Sequence, residues 1–173
     1  MAVRKYLKID TTDGKTKEEA SVNVSGGPPD EGKIPALDSG GKLDLTMMPT
    51  GIGPDLKNLP VGVDVAAGDF VTVYDDAGTL KVKPALADAS TTQADGFVKE
   101  TVTAGNPVSV YFEGVNDQVS GHTPGDRVFL SEVTPGAATS TPPTGSGNVV
   151  QFLGKAVSAT EIAFEATDGI TLA

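Results

Sequence analysis

Eight of the nine aromatic side chains of this 173-residue chain lie after residue 60, and Tyr6 alone precedes it. A stretch with one aromatic and scattered aliphatics cannot bury enough apolar area to offset the entropy of ordering it. A hydrophobic core must therefore be built from residues 61–173. Charge divides at the same place. Residues 1–60 carry 8 Lys/Arg against 9 Asp/Glu, and residues 61–173 carry 5 against 14, so nearly all of the net charge of −10 belongs to the second part. The reading is two segments: an extended arm and linker over 1–60, which needs a partner surface to order it, and a compact domain over 61–173.

The 21 Gly and 12 Pro make up about a fifth of the chain, against an average near 12%. Turns and extended segments should dominate, and a helical bundle is not expected. With no Cys there is no disulfide framework, thiolate nucleophile or Cys-ligated metal. The acidity argues against nucleic acid as a partner, since such proteins need a basic footprint. No apolar run approaches the ~20 residues of a membrane-spanning helix, and Met1–Asp10 has no apolar stretch typical of an export signal. Neither a membrane nor a nucleic-acid partner is expected.

From residue 61 the apolar period is mostly two, the pattern of half-buried strands. Strands are expected over 70–74 and 80–83, joined by the turn Asp75-Asp76-Ala77-Gly78, and over 96–102, 108–113, 127–131, 148–156 and 161–165. The fold class is mostly β: an extended N-terminal arm followed by a small antiparallel β-barrel or sandwich. Alternation assigns Val71, Val73, Val110, Val128, Leu130, Val150 and Phe152 to the core. Three strands begin alike, after Gly68-Asp69, Gly105-Asn106 and Gly125-Asp126. The unequal spacing excludes a solenoid repeat; glycine supplies the positive φ that a tight turn requires.

The search for catalytic chemistry finds no constellation. His122, the one histidine, sits in the turn Ser120–Gly125 and lacks the companions of a metal site. Asp75-Asp76 reads as hairpin chemistry. Gly51-Ile52-Gly53 lacks the third glycine and preceding strand of a dinucleotide fingerprint, and Gly145-Ser146-Gly147 lacks nucleophile-elbow spacing. No catalytic residue, cofactor or metal is expected, and the chain does not read as an enzyme.

The arm is punctuated by Gly26-Gly27-Pro28-Pro29, an extended Lys33–Leu37 stretch, a turn at Asp38–Gly41 and a single helical turn over Asp44–Met48. Along it, Ile34, Leu37, Leu43, Leu45, Met47, Met48 and Ile52 are spaced as isolated apolar pegs suited to a neighbour's grooves. Arg4, Lys5 and Lys8 form a small basic start that could seat on an acidic surface. The candidate partner-binding residues are Arg4, Lys5, Ile34, Leu37, Leu43, Met47, Met48 and Ile52.

Two stretches carry a resemblance. Gly32–Asp44 with Met47–Gly53 resembles a segment common in tailed-phage virion proteins. Ala67-Gly68-Asp69, Asp95–Val98, Ala104-Gly105, Val108–Val110, Gly125–Ser131, Thr134-Pro135-Gly136 and Val149–Ala156 together look like the β-barrel of phage capsid decoration (cement) and related head-fibre proteins. The resemblance implies a non-enzymatic virion protein, assembled in the host cytoplasm. It would sit on the capsid exterior, often as a homotrimer, and clamp neighbouring major capsid protein subunits. Two alternatives differ from it. A tail-fibre, baseplate or receptor-binding component would be present in few copies per particle. A small-ligand or carbohydrate-binding module would need a pocket of convergent polar groups.

Overall fold

A computed structural model describes residues 4–44, 47–48 and 55–173. The chain divides into two units, 1–53 and 54–173. Each is described by itself.

In the first unit, β1 (Lys5–Ile9) pairs antiparallel with β2 (Thr16–Ala20), with Leu7 opposite Glu18 and Ile9 opposite Thr16. The intervening turn is held by Asp10, whose Oδ1 accepts the Thr12 N–H at 2.8 Å. An isolated bridge joins Val22 to Pro35, enclosing a short helical turn at Pro28–Asp30. The arm is thus not extended throughout. The alternating sequence Lys5–Ile9 and the Asp/Thr/Gly turn after it fold back locally, before any partner is required. The Asp38–Gly41 turn forms as read, with Asp38 Oδ1 accepting the N–H groups of Gly40 and Lys42 at 2.8 and 2.9 Å.

The second unit is mostly β, as the alternation predicts. Its first sheet comprises β3 (Leu56–Pro60), β4 (Phe70–Asp76), β5 (Thr79–Pro84), β6 (Gly96–Val98) and β7 (Pro107–Tyr111), in the order β3-β7-β6-β4-β5. Its second sheet comprises β8 (Gly114–Asn116), β9 (Arg127–Leu130), β10 (Ala138–Thr139), β12 (Phe152–Ser158) and β13 (Glu161–Phe164), in the order β10-β9-β12-β13-β8. Two short strands, β11 (Val149–Val150) and β14 (Ile170–Thr171), pair separately. All these ladders are antiparallel. Among the described residues no sheet closes into a barrel, so the architecture is sandwich-like. β3 lies in residues that composition assigned to the arm. Its ladder with β7 runs from Leu56 to Pro60, which moves the start of the compact part upstream of residue 61.

The first sheet is apolar on both faces. Phe70 and Phe97 point toward the second sheet and meet Val128, Leu130, Leu153, Ile162 and Phe164 in one core, with the Phe70–Phe164 and Phe97–Phe164 ring centroids 5.5 and 5.7 Å apart. Their neighbours Val71 and Val98 point the other way, into a second core with Leu59, Val61, Val65, Val82, Val108 and Val110. This back face is covered because the sheet curls on itself. A bridge joins Val61 to Val82, and the Gly62 N–H donates to the Val82 carbonyl at 2.8 Å. β-Branched valines suit such a strongly curled, pleated surface.

The shared strand-start motif is a four-residue turn with glycine third. Gly68, Gly105 and Gly125 have φ of 95°, 88° and 90°, and the next N–H donates back to Ala66, Thr103 and Thr123 respectively. This is the position where a type II turn demands positive φ. Gly136 and Gly147 repeat the arrangement ahead of β10 and β11; Gly147 is followed by Asn148 and a valine pair, as in the signature, whereas Gly136 is followed by Ala137.

Two strand readings need correction. The 96–102 run stops pairing as a strand at Val98, and only Val102 returns, in a bridge to Val65. The 148–156 run breaks at Gln151, and Leu153 bulges between the ladder pairs Phe152–Phe129 and Gly154–Val128. Val149, Gln151 and Leu153 are therefore buried, while Val150 and Phe152 are only half-buried; Val73 is half-buried as well. Phe152 instead packs beside Phe129 on the outer face, under the Arg127 guanidinium, 4.6 Å from its ring centroid.

Candidate partner-binding surface

The first unit has almost no interior. Among its described residues the one buried apolar side chain is Ala36, at 8% exposure. Leu7 and Ile9 are 71% and 67% exposed, and Val24, Ile34, Leu37, Leu43 and Met48 also face solvent. Alternation in β1 places Lys5, Leu7 and Ile9 on one face of the hairpin, with Thr16, Glu18 and Ala20 across from them. Leu7 and Ile9 thus form an apolar strip on a two-stranded sheet that no further strand joins among the described residues.

The sequence-derived candidates distribute unevenly. Ile34 precedes the bridged Pro35, Leu37 lies two residues after it, and Leu43 follows the Asp38 turn; all three are exposed. Met47 is half-buried, and its N–H donates to the Asp44 carbonyl at 3.0 Å. Leu45 and Ile52 lie outside the described residues, as does Pro49, the expected end of the helical turn. The basic start is largely neutralised within the hairpin. Lys5 pairs with Glu18 at 2.8 Å and Lys8 with Glu19 at 3.2 Å, which leaves Arg4 without an ion pair among the described residues. The contacts offered outward by this surface are therefore mainly apolar.

Sequence reasoning missed Leu7, Ile9 and Val24, the most exposed large apolar side chains among the described residues of the unit. The signal was present in Tyr6-Leu7-Lys8-Ile9, where polar and apolar residues alternate ahead of a turn rich in Asp, Thr and Gly.

Local electrostatics hold the loops of the unit. The ammonium of Lys17 and the hydroxyl and N–H of Thr12 bring the Asp10 carboxyl down to about 2. Asp30, at 2.8 Å from Lys33 and accepting the Gly26 N–H at 2.6 Å, is held below the usual carboxylate range, with the lysine as the larger cause. These are turn-fixing contacts on exposed groups.

In the second unit, His122 lines a small cleft with Asp69 and Gly136. Burial raises the Asp69 carboxyl against the single N–H it accepts from Ala66. Asp75 caps the hairpin turn by accepting the Gly78 N–H at 3.2 Å, and Asp76 pairs with Lys81 at 2.6 Å. Among the described residues no group of His, Cys, Asp or Glu is placed to hold a metal ion, and no helix is long and apolar enough to cross a membrane. No protein-family model matches the chain, and no curated protein matches it.

Proposed function

We propose that this chain is a decoration protein of a tailed-phage capsid. Its N-terminal unit docks on neighbouring major capsid subunits, and its β-domain stands on the particle exterior. The observation that carries the reading is the core-poor first unit, with seven large apolar side chains exposed along one short segment. Surface of that kind is covered in use or becomes an association liability. Each peg contributes little alone. Several pegs on one chain raise the effective concentration of the rest once the first is seated. The strongly acidic second part suits a solvent-facing module that repels its copies on other particles. The resemblance of 32–44 and 47–53 to tailed-phage virion segments supplies the partner.

The test is occupancy on purified capsids lacking this protein, read from stained gels after incubation at limiting concentration. Removal of residues 1–53 should abolish binding. Leu37→Ala or Ile34→Ala should weaken it by about 1–2 kcal/mol each, the worth of a partly buried aliphatic. Equal occupancy by the truncated and full-length chains would overturn the proposal.

A further inference from the structure

The second unit holds an open groove of about 750 Å³, within the range of roughly 300–1,000 Å³ typical of ligand sites. One wall is formed by β3 and β4 and the residues around Phe112; the other is formed by residues 90–95 and 166–168. The second wall consists of two loops, yet it is fixed from below by buried amides. Gln151 Oε1 accepts the Ala94 N–H at 2.7 Å, and its Nε2 donates to the carbonyls of Ala94 and Thr167 at 2.8 and 2.9 Å. Gln93 ties the same loops together, accepting the Gly169 N–H at 2.6 Å and donating to the Ser90 carbonyl at 3.1 Å. Asp95 is aimed by the Val73 N–H, which donates to its Oδ2 at 2.7 Å.

What these bonds present to the groove is chemically mixed. The Thr91 hydroxyl, the Asp168 carboxylate and the Lys57 ammonium line it and make no side-chain hydrogen bond or ion pair among the described residues. Asp95 Oδ1 is likewise unengaged. Leu80, Val73 and Phe112 line the same groove and add apolar surface. Two carboxylates against one ammonium disfavour a phosphate or other anion. Carboxylates and hydroxyls beside apolar surface match the two aspects of a pyranose: hydroxyls at its rim and C–H bonds on its faces. Walls held rigid before the ligand arrives reduce the ordering cost of binding.

We propose that this groove binds a neutral oligosaccharide. The groove is lined by residues of the second unit alone, and the proposal does not depend on the docking proposed for the first. The experiment is a titration of the isotope-labelled full-length chain, followed by amide NMR. The neutral probes are maltohexaose, cellohexaose, mannohexaose and chitotetraose, and the charged control is a heparin-derived hexasaccharide. At least one neutral probe should shift the amides of residues 90–95 and 166–169, with a Kd at or below about 1 mM. The double substitution Thr91→Ala with Asp168→Ala removes two exposed, unengaged side chains. It should weaken binding by about tenfold or more without moving the melting temperature. Failure of every neutral probe to shift these amides, preference for the heparin hexasaccharide, or unchanged binding by the double variant would each overturn the proposal.

Discussion

Replacing Gln151 with leucine isolates the role of the buried amide. Gln151 is 2% exposed and satisfies both backbone groups of Ala94, itself buried. Leucine is close in volume, so packing is largely kept while three hydrogen bonds are lost. The N–H and C=O of Ala94 are left buried without partners, at about 1–3 kcal/mol each. The more apolar side chain returns about 1–2 kcal/mol. The mid-values give an expected net loss of about 2–3 kcal/mol, read from the shift in urea midpoint at unchanged slope. Gln151→Glu sharpens the test. An ionised carboxylate still accepts the Ala94 N–H but cannot donate to the two carbonyls, so burial would raise its pKa in the folded state. A raised acid penalises folding only where the unfolded chain ionises. The penalty should therefore be small near about pH 3.5 and grow as pH rises through about 4.3 toward 7. A loss below about 0.5 kcal/mol for Gln151→Leu, or a Gln151→Glu variant whose deficit ignores pH, would refute this account of the junction between β11 and β12.

The β4–β5 hairpin turns through Ala77 and Gly78, both at positive φ, 52° and 89°. A two-residue turn of this kind prefers Asn at its first position, so Ala77→Asn should raise stability by about 0.5–1 kcal/mol, measured as an increase in melting temperature. The Asp10 carboxyl, brought down to about 2 by Lys17 and Thr12, supports the β1–β2 hairpin above about pH 4, and that support should fade as pH falls toward 2. Its titration by NMR should show a midpoint near 2; a midpoint near 4 would remove the ion pair from the account. Truncation should depend sharply on where it stops. Removing residues 1–53 should leave a second unit that unfolds cooperatively, whereas removing 1–60 also deletes β3, strips the edge of β7 and takes Leu59 out of the valine core. Calorimetry of the two truncated chains separates them by melting temperature.

Much of the fold was legible because strand alternation has a period of two and leaves a plain trace in residues 70–74, 108–113 and 127–130. It failed where the chain departs from that period. Around Gln151 a bulge shifts the phase by one residue, and a polar side chain takes a core position because it satisfies the backbone of a distant loop. No local pattern announces such a partner 57 residues away. β3 was hidden for a different reason. Leu56-Lys57-Asn58-Leu59-Pro60 is short and polar, and its place follows from the ladder with β7, a tertiary contact. The hairpin in the first unit was missed because absence of a core was equated with absence of local structure. Of the named pegs, Ile34, Leu37, Leu43 and Met48 are exposed, while Leu7 and Ile9, already marked by local alternation, are set on one face of a sheet by the pairing register.

That hairpin bears on how the first unit would meet a partner. A two-stranded sheet that leaves Leu7 and Ile9 uncovered on one face is marginal in water, and the ion pairs along this one are largely open to solvent, where each is worth about 0–1 kcal/mol. Its turn is better determined than its strands, since Asp10 fixes the Thr12 N–H and Gly14 takes φ of 69°. Part of the ordering cost is thus met before docking, at the turn, while the strands gain most from cover over Leu7 and Ile9. Covering those two side chains is worth about 1.5–3 kcal/mol each when complete, comparable to the cost of ordering a few residues. A Leu7→Ser, Ile9→Ser double variant should therefore leave the turn's NMR signature in the free chain while weakening attachment to capsids more than any single peg replacement. If attachment survives that variant unchanged, the hairpin strip is not part of the docking surface, and the contacts must lie with the remaining exposed side chains, Val24, Ile34, Leu37, Leu43 and Met48.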